Sequence, residues 1–120
     1  MKIKIIIAII TVGSLSAFSN YESITAEYSV IKQVKPSEGE QIIKNQDCAT
    51  CHKIDKKVVG PSYLDIAKKY QMNDKNVKYL TEKITKGGSG VWGAIPMSAH
   101  TALKKDDAKK IAIYILSLKK

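Results

Sequence analysis

The sequence predicts an all-α domain of four to five short helices. Apolar side chains recur at intervals of three and four residues in several segments, which is the spacing of one helix face. Residue types that favour helix starts and ends flank these segments, and no segment shows the alternation typical of a strand. Because the chain has only 120 residues, it fits a single domain and excludes a multidomain enzyme.

The N-terminus has the three-part pattern of a secretory signal peptide. A basic start precedes an almost continuously apolar run, residues 5–12, and small residues follow at 13–19. The apolar stretch is shorter than the ~20 residues that a membrane-spanning helix needs, so cleavage between residues 16 and 26 is favoured over a retained anchor. We therefore predict three segments: a signal peptide at 1–26, a flexible arm at 27–35 and a folded domain at 36–120.

The first two helices are predicted from their start signals. Ser37 and Glu40 have the S-x-x-E spacing of a capping box and precede two isoleucines, which predicts a helix ending near Asn45. A second helix is predicted over residues 62–70, where apolar side chains recur at helical spacing behind Pro61.

Two further helices have clear boundaries. Asn73 can cap a third helix, and Gly87 should end it. In the last helix, Asp106 and Asp107 lie near the start and Lys119 and Lys120 at the end, which matches the helix dipole. Its predicted apolar face contains Ile111, Tyr114, Ile115 and Leu118.

Glycine-rich stretches separate the helices, and the longest covers residues 87–96. Long loops in small domains usually carry function. Since a domain of this size buries only a marginal core unaided, we expect a bound group to complete it.

The charge points to acidic partners. The chain carries 20 basic and 11 acidic side chains, a net charge of +9, and every basic residue is Lys. Because Arg is favoured for bidentate recognition of phosphates and bases, its absence argues against nucleic-acid binding. Lysines can steer the protein toward an acidic surface, or they can serve only as a solvated coat.

The chemistry is concentrated in Cys48-Ala49-Thr50-Cys51-His52. C-x-x-C-H is the attachment signature of c-type haem, in which both thiols form thioethers and the histidine binds iron. Thioredoxin-like exchange, a disulfide and half a zinc site are alternatives for C-x-x-C that fit poorly, because no βαβ pattern surrounds the motif and no second cysteine pair is present. The sequence therefore predicts one covalent haem c, held by Cys48 and Cys51 with His52 as an axial iron ligand.

Met97 is the leading candidate for the second axial ligand. It follows the glycine-rich loop, where the chain can fold across the far haem face, and a Met–His pair raises the reduction potential of the iron. Met72 is the competitor, but it lies among polar residues between two predicted helices. A core methionine without an iron bond is the remaining alternative for Met97.

The chain from about Pro36 onward resembles a small bacterial class I cytochrome c. Besides C-x-x-C-H, the resemblance rests on Val59-Gly60-Pro61-Ser62-Tyr63 and Gly90-Val91-Trp92-Gly93-Ala94-Ile95-Pro96-Met97, in the order and spacing of the family. It implies that the helices wrap around one haem in a monomeric periplasmic electron carrier. The expected partners are redox proteins with acidic docking surfaces, such as a terminal oxidase, nitrite reductase or peroxidase. Because iron held by both His52 and Met97 has no site for a substrate, we expect no enzymatic activity and no small-molecule substrate, with membrane contact only through partner complexes.

The resemblance also implies roles for individual residues. The Pro61 carbonyl should accept a hydrogen bond from the His52 ring, and the Trp92 indole should donate to a haem propionate unless it only packs in the core. Gly39 on the first helix should admit Tyr114 of the last. We also expect lysines near both ligand segments to border the exposed haem edge: Lys53, Lys56, Lys57, Lys104 and Lys105.

His100 departs from the family pattern, which often has Asn three residues after the ligand methionine. It could bond near the sulfur, reach a propionate, replace Met97, or remain a solvated surface histidine. Two other functions stay open: a gas-binding or peroxidatic haem protein with a displaceable Met97, and a tethered electron-entry subunit of a membrane complex.

Overall fold

A computed structural model describes residues 35–119, which form five α-helices and no strand. The all-α prediction is confirmed. The predicted signal peptide and nearly all of the predicted arm lie outside the described residues. Within the described part of the chain, no helix is both long and apolar enough to span a bilayer. The helices are α1 Pro36–Lys44, α2 Cys48–Cys51, α3 Tyr63–Lys69, α4 Asp74–Lys86 and α5 Lys105–Ser117.

The start of α1 differs from the predicted capping box. The helix begins at Pro36, its N-cap is Lys35, and no side chain bonds to the exposed N–H groups there. Ser37 therefore lies inside the first turn, so the capping-box prediction was wrong. The fixed φ angle of proline suits the first helical position and its missing N–H is no loss there, which explains why the helix starts one residue earlier.

The predicted boundaries of α3 and α4 are confirmed to within one residue. The Ser62 hydroxyl accepts from the Asp65 N–H at 3.0 Å, and the Asn73 side-chain oxygen accepts from the Asn76 N–H at 2.9 Å. Gly87, with a φ of 71°, ends α4. That left-handed conformation favours glycine, so α4 must end where the long loop begins.

Helix α5 is the centre of the core. Six consecutive side chains, residues 111–116, are buried, so the buried surface is wider than the predicted apolar face. The helix ends at Ser117, and no basic residue lies in its last turn, so the prediction that Lys119 would end it was wrong. Helix α5 packs against α1, α3 and α4, which makes it the element that holds the other long helices together.

The crossing of α1 and α5 depends on Gly39. A Cβ atom at this position would lie less than 3.0 Å from the Lys110 carbonyl oxygen and from the Tyr114 Cβ. The backbones of the two helices therefore approach at a point where only glycine fits. This confirms the expected pairing of Gly39 with Tyr114, although the closest obstacle is the Lys110 backbone rather than the aromatic ring.

Candidate functional site

Helix α2 presents the two cysteines. It is a single turn, closed by hydrogen bonds from the Thr50 N–H to the Asp47 oxygen at 2.9 Å and from the His52 N–H to the Cys48 oxygen at 3.0 Å. Both thiols are free and half-buried, and burial raises the pKa of Cys48. One helical turn between the thiols gives the arrangement predicted for the C-x-x-C-H segment.

The His52 ring is oriented by the chain that follows it. Its Nδ1 lies 2.7 Å from the Pro61 carbonyl oxygen. A carbonyl only accepts, so Nδ1 must carry the proton and donate, which leaves the Nε2 lone pair free for a metal. This confirms the expected hydrogen bond. A donor bond of this kind fixes the tautomer and raises the basicity of a ligating imidazole.

Gly60 and Tyr63 both pack against the His52 ring. A Cβ atom on Gly60 would lie less than 3.0 Å from three atoms of the His52 ring, so the backbone packs directly against the imidazole. The Tyr63 ring stacks on His52 with centroids 5.6 Å apart and an interplanar angle of 18°. Burial raises the pKa of Tyr63, and the phenol therefore stays neutral beside the imidazole.

A backbone clamp positions Met97. The Gly88 N–H donates to the Met97 oxygen at 3.1 Å, and the Met97 N–H donates to the Gly88 oxygen at 2.9 Å. This pair closes residues 88–97 into a loop at its base, which we call the ligand loop. The Met97 side chain is half-buried and packs against the core. Positive φ angles at Gly88, Gly90 and Gly93 allow the loop to turn back so tightly.

The six sequence-predicted site residues line one cavity of about 360 Å³. They are Cys48, Cys51, His52, Pro61, Trp92 and Met97. Its walls include buried apolar side chains from three helices, such as Ile66, Leu80 and Ile115. The cavity lies in the size range of sites that bind organic cofactors, about 300–1,000 Å³.

The competing methionine lies elsewhere. Met72 is 42% exposed and is not among the residues that line the cavity. The structure therefore brings Met97, and not Met72, together with His52.

Trp92 lies at the cavity, whereas most of the lysines expected beside it do not. The Trp92 side chain lines the cavity, and the Lys69 ammonium lies 5.2 Å from its ring centroid. Among the five lysines expected at the haem edge, only Lys57 lines the cavity. Lys53 borders a second, smaller cavity beside Tyr63 and Tyr114, and the other three line neither. The structure thus places one of the five, Lys57, at the cavity itself.

Sequence reasoning missed Lys83. Its side chain lines the cavity, and its ammonium lies 5.5 Å from the centroid of the Tyr79 ring. The signal was present in the helical spacing, since Lys83 lies three residues after Leu80 and one before Ile84 on the face of α4 that borders the cavity. A lysine on an otherwise apolar face is a candidate for holding an anionic group.

Two tyrosines beside Lys83 were also missed. The rings of Tyr70 and Tyr79 lie 5.5 Å apart between centroids, and both line the cavity. Burial, together with a hydrogen bond to Tyr79, raises the pKa of Tyr70 to about 12. Tyr70 therefore stays neutral, and the two rings form an aromatic wall that suits the flat face of a large ring system.

His100 is not a solvated surface histidine. Its side chain is 19% exposed, it lines the cavity, and its Nε2 lies 3.1 Å from the Asp47 carboxylate. Its Nδ1 is buried and has no hydrogen-bond partner among the described residues. The ring therefore faces the attachment helix on one side and leaves an unsatisfied nitrogen on the other.

The comparisons with known proteins agree with this geometry. The family model for cytochrome c matches residues 36–119. The chain belongs to the cytochrome c family. Cytochrome c-552 of Hydrogenobacter thermophilus is 48% identical over 80 residues, which cover 67% of this chain and 81% of that protein. Cytochrome c-551 of Pseudomonas aeruginosa is 41% identical over 80 residues, covering 67% and 76% of the two chains.

A solved structure shows the same fold. The crystal structure of wild-type Nitrosomonas europaea cytochrome c552 matches with a TM-score of 0.63 at 45% identity, over 67% of this chain and 99% of that one. The protein is thus a small bacterial class I cytochrome c, a monohaem electron carrier with one covalently attached haem c.

The described residues fit this cofactor. The cavity offers two thiols, an imidazole nitrogen and a thioether sulfur, which are the donors that c-type haem requires. Tyr63 also lines the cavity, and its hydroxyl, like His100 Nδ1, is buried without a partner among these residues. Unsatisfied polar atoms around an apolar cavity indicate a site that a large group with polar substituents completes.

Proposed function

We propose that this cytochrome is a periplasmic one-electron carrier in which Cys48 and Cys51 would form the thioethers to haem, and His52 and Met97 would bind its iron. The observation that carries the proposal is the convergence of all four side chains on one apolar cavity. The haem iron, when bound, supplies the one-electron couple. If His52 and Met97 both bind the iron, no iron position remains for a substrate, and the protein would act as a carrier and not as an enzyme.

The chain tunes that couple through the two ligands. The bond from His52 to the Pro61 carbonyl holds the imidazole in one tautomer and one orientation. The two backbone hydrogen bonds between Gly88 and Met97 fix the backbone of Met97. Its thioether should therefore move little when the iron changes its oxidation state. The apolar walls would shield much of a bound haem from water, which would disfavour the extra charge of the ferric state and raise the reduction potential.

Two further side chains suit the carboxylates of the cofactor. We propose that the Lys83 ammonium pairs with a haem propionate and that the Trp92 indole N–H donates to one. Both side chains line the cavity, and a buried carboxylate needs such partners because an isolated charge is expensive in an apolar site.

The location and partners follow from the N-terminal sequence and the charge. We propose that residues 1–26 direct export and are removed, that 27–35 form an arm, and that 36–120 are the haem domain. The lysine-rich composition, at a net charge of +9, suits a monomer that docks on acidic surfaces of redox proteins such as an oxidase, nitrite reductase or peroxidase.

A carbon monoxide difference spectrum of the reduced holoprotein tests the ligand set. We expect no spectral change, because Met97 closes the sixth position of the iron. Rapid binding of one equivalent would show an open or labile iron. That result would contradict the electron-carrier function and favour a gas-binding or peroxidatic protein.

Electron transfer to an anionic probe tests the role of the lysines. Replacing Lys56 and Lys57 with glutamine should slow oxidation by ferricyanide about twofold to fivefold at low ionic strength, and the difference should vanish at high salt. Lys57 lines the cavity and Lys56 adjoins it in sequence. The matched control replaces Lys75 and Lys78, which are exposed on α4 and line no part of the cavity. Equal slowing in both double variants would show that the lysines act only through the overall charge of the protein.

A further inference from the structure

Asp47 and His100 join two segments that are distant in sequence. The His100 Nε2 lies 3.1 Å from the Asp47 carboxylate oxygen, across 53 positions. Asp47 directly precedes the attachment helix α2, and His100 lies three residues after Met97. The contact therefore links the thiol side of the cavity to the end of the ligand loop.

The backbone on both sides of this contact is fixed. The His100 N–H donates to the Ile84 oxygen on α4 at 3.1 Å, and the Leu103 N–H donates to the His100 oxygen at 3.1 Å. On the other side, the Asp47 carbonyl accepts from the Thr50 N–H. The Asp47 side chain makes no cap hydrogen bond in α2, so it is free to serve the contact with His100.

The hydrogen bond to Asp47 is the polar contact that orients the His100 ring among the described residues. Nε2 donates to the Asp47 carboxylate, and the buried Nδ1 has no partner among these residues. The ring is therefore held against the attachment helix by its bond to the carboxylate.

A metal site is the alternative use of the same atoms. Donor atoms of Asp47, Cys48 and His100 lie within 4.8 Å of one another. Under the proposed function, however, the Cys48 sulfur is a thioether bound to the haem. Two donors then remain, fewer than the three or four of a zinc site.

We propose that Asp47 and His100 form a clasp that holds the ligand loop closed against the attachment helix. Both are positioning residues that act through the loop and touch no reacting atom. Asp47 is 80% exposed, so the contact falls in the range of exposed pairs, about 0.2–1 kcal/mol. This corresponds to up to about a fivefold shift in the opening equilibrium of the loop. Its effect on iron ligation rests on the proposed role of Met97, but its effect on the loop does not.

Amide hydrogen exchange on the holoprotein tests the clasp. The variants are Asp47→Ala, His100→Ala and the double replacement, and Asp55→Ala is the control for loss of an exposed carboxylate next to the same motif. We expect the Gly88 and Met97 amides, which form the base of the loop, to exchange up to about fivefold faster in each single variant. The double variant should exchange no faster than the faster single variant, and α5 amides should remain unchanged.

The conservative variant Asp47→Asn separates the bond from the charge. Its side-chain oxygen can still accept from His100, so exchange should stay closer to wild type than in Asp47→Ala. Unchanged loop amides in Asp47→Ala, or additive effects in the double variant, would overturn the clasp. Faster exchange in Asp55→Ala to the same extent would overturn it as well.

Cyanide binding to the ferric protein separates the clasp from the proposed ligand. If Met97 binds iron, cyanide must wait for the loop to open, and the clasp variants should bind it faster by the same factor as their amides exchange. If wild type binds cyanide at once while the amide result holds, the clasp stands and the Met97 assignment fails. If cyanide binding is slow in wild type and neither measurement changes in the variants, the clasp fails and the ligand assignment stands.

Discussion

Replacing Met97 with alanine is expected to let the reduced holoprotein bind one equivalent of carbon monoxide, whereas wild type binds none. The reason is the position of the side chain: it is half-buried at the base of the ligand loop and lines the same cavity as His52. Removing a soft thioether donor should also lower the reduction potential, since Met–His ligation raises it. Difference spectra and a redox titration measure the two effects.

Met72→Ala is the matched control for this variant. Its side chain is 42% exposed and lines no part of the cavity, so carbon monoxide should still fail to bind. A Met97→Ala protein that keeps a closed iron would mean that another donor fills the position. His100 and Lys83 line the cavity and are the candidates. Adding His100→Ala to Met97→Ala would tell them apart, and an unchanged potential in Met97→Ala would contradict the assignment.

The predicted site residues are positioned by local geometry, which can be deduced from a single sequence. Cys48, Cys51 and His52 are contiguous in one helical turn, so local geometry alone brings them to one side of the cavity. Met97 and Trp92 lie on a glycine-rich segment whose tight turns restrict where the chain can go. Local constraints of this kind can be deduced without knowing the tertiary structure.

Asp47 and Lys83 were missed for the opposite reason. Asp47 is an exposed carboxylate in a turn, and only the approach of a residue 53 positions away gives it a partner. The helical spacing puts Lys83 on the same face of α4 as Leu80 and Ile84, but only the packing of α4 shows that this face borders the cavity. Contacts made by tertiary packing leave little trace in single-sequence patterns.

The helix boundaries also differ in how far local signals determine them. Asn73, Ser62 and Gly87 set helix ends through contacts within a few residues, and these boundaries were predicted. At α1, two local signals competed, and Pro36 prevailed over the Ser37 capping box. At α5, the helix ends at Ser117 although the sequence continues with leucine and lysine, and no local stop signal marks that position.

Gly39→Leu is expected to abolish the stable holoprotein. The first atom added to Gly39 would lie less than 3.0 Å from the Lys110 carbonyl oxygen, and this obstacle is backbone that no rotamer change can move. The remaining leucine atoms would have to separate α1 from α5. Since α5 packs against α1, α3 and α4, that separation opens the whole core, and domains of this kind have only about 5–15 kcal/mol of stability in total.

A graded series makes the cause identifiable. Gly39→Ala adds only the Cβ and should lower the free energy of unfolding by about 1–3 kcal/mol, even though alanine is the better helix former. Ser37→Leu places the same large side chain on an exposed position of the same helix and should fold normally. Adding Tyr114→Ala should not rescue Gly39→Leu, because the Lys110 carbonyl stays in place. Denaturant unfolding followed by circular dichroism measures each step, and a Gly39→Leu protein as stable as Ser37→Leu would contradict the helix crossing described for this cytochrome.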